Sequence, residues 1–93
     1  IKQIENNTIL DLKNRNIDDD MMKILSLCTN LKNLTRLYLF ENNISYKGME
    51  YFSKCEFLKN LIFIGLSKNN ISDKGMEYFS KCPFLNKLSI LNI

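Results

Sequence analysis

The 93-residue chain contains no histidine and no tryptophan. Without an imidazole there is no His-based nucleophile pair and no His ligand for a metal. No G-x-S-x-G elbow, Walker-type glycine loop or paired metal-ligand spacing appears. These absences predict a protein that is not an enzyme and that holds no metal and no cofactor. No apolar run approaches the ~18 residues of a spanning helix, and no signal peptide is visible. Charge of one sign is scarce as well. The net charge of +3 is spread along the chain and forms no basic block. A solvated mixed surface follows, with no nucleic-acid partner and no membrane partner.

Cysteine is sparse, but its spacing is informative. Cys28, Cys55 and Cys82 stand 27 residues apart. An odd count at one repeated place does not form a disulfide framework. On neighbouring helices about 8–10 Å apart, the thiols would lie beyond the ~7 Å Cα reach of a disulfide. They are expected to be reduced, buried and packed as small hydrophobes. That points to a reducing compartment and so to the cytoplasm. Four N-x-S/T sequons, at Asn6, Asn33, Asn43 and Asn70, read as coincidence in a chain so rich in Asn. Two of them sit at a corner where a glycan would crowd the next repeat.

What the chain does have is repetition. Residues 34–60 and 61–87 match at 17 of 27 positions, and residues 7–33 are a more worn copy. Residues 1–6 fit the tail of an earlier unit, with Ile1 in the Cys column and Ile4 in the column of Leu31, Leu58 and Leu85. Residues 88–93 begin a fourth unit. A period of 20–50 residues means stacked units that bury their apolar faces against one another. Residues 1–93 therefore read as one repeat domain. Starting in mid-repeat and without Met, it reads as a fragment or processed piece.

Each unit opens with period-two alternation: Leu10 and Leu12, Leu37 and Leu39, Ile64 and Leu66, Leu91 and Ile93. That predicts a strand with one buried face. A turn follows, centred on Asn16, Asn43 and Asn70, since Asn tolerates the left-handed conformation. Ile17, Ile44 and Ile71 then point back inside. Next the period becomes helical. Gly48, Met49, Phe52 and Cys55 share a face, as do Gly75, Met76, Phe79 and Cys82, and in the first unit Met21, Met22, Leu25 and Cys28. Ser45 and Ser72 suit N-caps, and Asp18, Asp19 and Asp20 suit a helix start better than a cation site. Pro83 discourages further helix. Phe52 and Phe79 are expected to be principal core residues. Strand, turn and helix without hairpin signals predict parallel strands joined by helical crossovers.

These columns resemble the leucine-rich repeat, LxxLxLxxNxL. Leu34 to Ile44 reads LTRLYLFENNI, and Leu61 to Ile71 reads LIFIGLSKNNI. The Gly four residues past the Ile is similar to the ribonuclease-inhibitor type. The Cys82-Pro83-Phe84-Leu85 ending is similar to the cysteine-containing type of F-box proteins. The resemblance implies an α/β right-handed solenoid, with a parallel sheet on the concave face and helices on the convex face. It also implies a buried hydrogen-bonded ladder of Asn42 and Asn69. The first unit departs from it, with Arg15 in the ladder column and Met21 in the glycine column.

The outward strand positions carry the functional expectation. Stacking puts Ile9, Arg36, Phe63 and Ile90 in one row, beside Asp11, Tyr38 and Phe40. Exposed aromatics with Arg have the composition of interface hot spots. A non-enzymatic module that binds another protein through this face is the leading reading. Its rivals are a substrate-receptor segment of a ubiquitin ligase, suggested by the C-x-x-L column, and an architectural spacer in a longer array. The last strand, with Leu88, Leu91 and Ile93, is expected to have an open edge, which favours self-association or a neighbouring repeat.

Overall fold

The computed structural model describes residues 8–85, 87–88 and 90–92. The expectations for residues 1–6 and for Ile93 lie outside it, as do those for the side chains of Ile90 and Leu91. Strand β1 (Ile9–Asp11) leads to helix α1 (Asp19–Ser26) and a 3-10 turn (Thr29–Leu31). Strand β2 (Arg36–Tyr38), helix α2 (Tyr46–Phe52) and a second 3-10 turn (Glu56–Asn60) follow. Strand β3 (Phe63–Gly65), helix α3 (Ser72–Ser80) and strand β4 (Ile90–Asn92) complete the order. The strands form one parallel sheet, ordered β1-β2-β3-β4. Helix α1 packs on α2, and α2 on α3. The architecture is α/β, as the changing periodicity predicts.

The core lies between these two layers. Leu37, Leu39, Ile64 and Leu66 enter it from the strands, Ile44 and Ile71 from the corners, and Met22, Met49, Phe52 and Phe79 from the helices. Burial varies along each 27-residue column. Leu25 is half-buried, Phe52 fully buried and Phe79 nearly so. A stacked unit is covered only by its neighbours, so the middle copy is buried most deeply.

The ladder is present and asymmetric. Asn42 is buried. Its Oδ1 accepts from the backbone N–H of Arg15 (3.0 Å) and Ile17 (2.9 Å). Its Nδ2 donates to the carbonyls of Leu12, Leu39 and Phe40 at 3.0–3.1 Å. Asn69 is half-buried; its Oδ1 accepts from Ile44 N–H, and its Nδ2 donates to Leu39, Leu66 and Ser67. Each amide thus ties its own corner to the preceding one. Arg15 is exposed and joins through its backbone alone.

Several local expectations are corrected. The left-handed corner residues are Asn14, Glu41 and Lys68, at φ 51–60°; of the Asn trio only Asn16 is left-handed. Asn43 and Asn70 instead donate their N–H groups to the carbonyls of Ile17 and Ile44 in the preceding turn of chain, and their side chains are exposed. The cysteines are not on the helices. Each helix ends at, or one residue before, a serine whose Oγ donates to the carbonyl three residues back: Ser26 to Lys23, Ser53 to Glu50 and Ser80 to Glu77. Such bonds compete with the helical pattern. Cys28 and Cys55 follow in extended backbone. Met21 is exposed, because no described element packs on that side of α1.

The acidic run divides its work. Asp18 caps its own helix, accepting from Met21 N–H at 2.9 Å. Asp19 reaches to the next helix: its Oδ1 accepts from the N–H of Ser45 (2.8 Å) and Gly48 (3.0 Å), and its Oδ2 accepts from Ser45 Oγ. A Cβ on Gly48 would stand 2.6 Å from Asp19 Oδ1, so the glycine makes this approach possible. Ser45 also accepts from Lys47 N–H, as an N-cap. Ser72 does not cap. The position that Asp19 holds opposite Ser45 is held opposite Ser72 by Tyr46, which offers no carboxylate, and Ser72 itself has φ 65°. Asp19→Ala is expected to cost about 0.5–2 kcal/mol, the range of a lost N-cap, with Asp19→Asn recovering part of it. Urea unfolding of both variants checks this; equal losses would mean that the acceptor is irrelevant.

The thiols are all free, but not all buried: Cys55 and Cys82 are buried, whereas Cys28 is half-exposed. Cys28 sits at the same end of the stack as Met21, where one neighbour is missing among the described residues. Burial pushes the Cys55 thiol up to about 12, against the opposing backbone hydrogen bond from Phe57. Burial raises Cys82 as well, opposed by the backbone at Phe84. The thiolate is the reactive form. Native protein at pH 8 should therefore label first at Cys28, with Cys55 and Cys82 slow until unfolding. The neutral thiol is the form the fold favours. Stability is thus full below the unfolded thiol pKa near 9 and falls as pH rises from there towards 12. Labelling of Cys55 as fast as Cys28 would contradict the packing.

Candidate protein-binding face

Alternation along the strands sends one set of side chains into the core and the other onto the open face of the sheet. Leu37 and Leu39 go in; Arg36, Tyr38 and Phe40 go out. Ile64 and Leu66 go in; Phe63, Gly65 and Ser67 go out. Parallel register then aligns the strand positions in rows. Ile9, Arg36, Phe63 and Ile90 form the first row, and Asp11, Tyr38, Gly65 and Asn92 the second.

Four of the expected site residues come together. The Tyr38 ring meets Phe63 edge-on, with centroids 5.3 Å apart and planes at 68°. It also stacks along Phe40, at 6.1 Å and 14°. Phe40 and Phe63 close the triangle at 6.4 Å. The Arg36 guanidinium carbon lies 5.7 Å from the Phe63 centroid, within cation–π range. All four side chains are half-buried, which leaves part of each ring in solvent. Ile9, at 43% exposure, and Asp11 lie on the neighbouring strand at the margin. Asp11 Oδ1 accepts from Lys13 N–H. Ile90 is aligned with Phe63 through its backbone.

Two features of the site escaped the sequence reading. Gly65 is the first. A Cβ there would fall 2.1–2.7 Å from three atoms of the Phe40 ring, so Phe40 lies across β3 in the hollow the glycine leaves. A glycine inside a strand, with an aromatic two residues past its partner on the preceding strand, was the available signal. The second is the ladder's part in the site. Asn42 Nδ2 and the N–H of Asn14 both hold the carbonyl of Phe40, at 3.1 and 2.9 Å. The structural ladder thus fixes the corner from which the ring projects.

Gly65→Ala is expected to leave stability within about 1 kcal/mol, because only a ring at the end of a rotatable side chain must move. The substitution should still displace Phe40 and change the near-ultraviolet dichroism and the ring-shifted proton resonances. Unchanged aromatic resonances would mean that Phe40 does not occupy the hollow.

The rest of the face is polar. Lys68 and Glu41 pair at 3.8 Å, both largely exposed, which contributes little to stability. No group of side chains among the described residues could hold a metal.

A leucine-rich repeat family model matches residues 30–53 and 58–80, half of the chain. Among curated proteins none matches. Leucine-rich repeats generally serve as non-enzymatic modules of protein–protein interaction. Parallel strands at a 27-residue offset, helical crossovers, a hydrogen-bonded asparagine at two successive corners and the family match agree: the chain belongs to the leucine-rich repeat family.

Proposed function

We propose that residues 1–93 act as one repeat domain that binds another protein through the open face of its sheet, the concave side in the family's usual arrangement. The observation that supports this most is the Arg36–Tyr38–Phe40–Phe63 cluster. The core is complete without it, yet four hot-spot-type side chains are gathered on one solvent-facing patch. Ile9, Asp11 and Ile90 extend the patch along their rows. A protein partner suits this surface better than nucleic acid or membrane. The net charge is only +3, and no helix among the described residues is long and apolar enough to cross a membrane. A cytoplasmic setting fits three free cysteines. The close approach at Gly48 and Gly75 and the C-x-x-L endings favour kinship with the ribonuclease-inhibitor and cysteine-containing subclasses. Strand β4 has one partner strand among the described residues, so its other edge suits a neighbouring repeat or a second copy.

Affinity capture with a matched pair of variants tests the reading. The triple variant Arg36→Ala, Tyr38→Ala, Phe63→Ala should lose more than tenfold of any specifically retained protein. Lys47→Ala with Lys54→Ala, on the helix side, should retain it. Equal retention by both would favour the spacer reading.

A further inference from the structure

We infer that the partner segment presents an apolar side chain beside a carboxylate. This rests on the sheet-face reading and specifies what the face recognises. The rings contact one another at centroid distances of 5.3–6.4 Å. They form one apolar cluster, and the cation over Phe63 is already Arg36 itself. The charges around them also disfavour a cationic ligand. Glu41 and Lys68 pair with each other, and at the alternating outward positions Lys13 and Arg36 outnumber Asp11.

Arg36 supplies the polar half of the recognition. It makes no salt bridge among the described residues. A guanidinium over an aromatic ring keeps its N–H edge free, and that edge matches a carboxylate in bidentate geometry. The half-buried setting against Phe63 reduces screening, so the pairing is stronger than at an open surface. Arg36 and Tyr38 stand two residues apart on one strand, about 7 Å. An extended partner with an aliphatic or aromatic side chain within two residues of Asp or Glu meets both at once.

A random twelve-residue peptide library displayed on phage, selected on the full chain, tests this. The expected consensus has Leu, Ile, Met or Phe within two residues of Asp or Glu. A synthetic peptide of that consensus should bind Arg36→Gln at least tenfold more weakly. Changing its acid to the amide should cost wild type a similar factor and cost Arg36→Gln little, which isolates the pair. A consensus lacking an acid, or peptides indifferent to Arg36→Gln, would overturn the inference; sensitivity to Tyr38→Ala would then still support the sheet face. Recovery of no peptide, or of peptides indifferent to Tyr38→Ala and Phe63→Ala, would overturn both.

Discussion

Replacing Phe52 by alanine should lower the unfolding free energy by about 3–5 kcal/mol. Phe52 has no solvent exposure and occupies the middle of its column, between Leu25 and Phe79. Its ring meets Phe57 edge-on at 5.8 Å and 75°. Phe57 is itself buried and sits in the 3-10 turn that leads to β3. The truncation therefore removes apolar burial and loosens the link from helix to the next strand. The layers on both sides are fixed by their own neighbours, so the cavity cannot collapse freely. A domain of this size holds about 5–15 kcal/mol in total, so the variant should lie near the edge of stability at room temperature. Leu25→Ala, at the half-buried end of the same column, should cost distinctly less. Urea titrations of the two variants decide the matter. A Phe52→Ala loss below about 1 kcal/mol, or a larger loss at Leu25, would contradict the order of burial.

The second large effect is expected at Asn42. Its amide makes five hydrogen bonds that join two successive corners. Leucine fits the volume but offers no polar atom. The buried Ile17 N–H and the Leu12 carbonyl would lose this partner, at about 1–3 kcal/mol for each group left unsatisfied, while the Leu39 carbonyl keeps its bond from Asn69. Asn69→Leu should cost less, since that corner is half-buried and water can reach some of the freed groups. Asn70→Asp should cost least. Its backbone N–H makes the cross-corner bond, and its side chain is exposed. The expected order is therefore Asn42, then Asn69, then Asn70. Asn42→Leu should also disturb the aromatic resonances of Phe40, whose carbonyl the amide holds. An Asn70→Asp effect as large as Asn42→Leu would shift the ladder by one residue.

The periodic features were legible in the sequence. Period-two leucines, the helical Phe column and the ladder asparagines each recur at 27 residues, and recurrence separates them from local noise. The row of Ile9, Arg36, Phe63 and Ile90 followed from the same offset. Features that depend on which turn of chain lies next door were not legible. Asp19 looks like one of three equivalent acids. It differs only because Ser45 and Gly48 stand opposite it. Ser72 stands in nearly the same local sequence as Ser45 but lies inside its helix without a cap bond, and Tyr46 occupies the acid's column opposite it. The cysteines keep helical spacing from Phe52 and Phe79, so periodicity alone put them on the helix. The serine bonds that end each helix are three-dimensional facts. Gly65 was visible as an outward position, but its meaning depends on the Phe40 ring crossing from β2.

Chemical-shift mapping tests the binding face most directly. The isotope-labelled chain would be titrated with a captured protein or a peptide recovered by display. The largest changes should fall on Arg36, Tyr38, Phe40, Phe63 and Gly65 and saturate together, while Lys47, Tyr51 and Lys74 on the helices stay still. Changes concentrated on the outer surface of α1–α3, with the sheet face silent, would contradict the assignment of the binding surface.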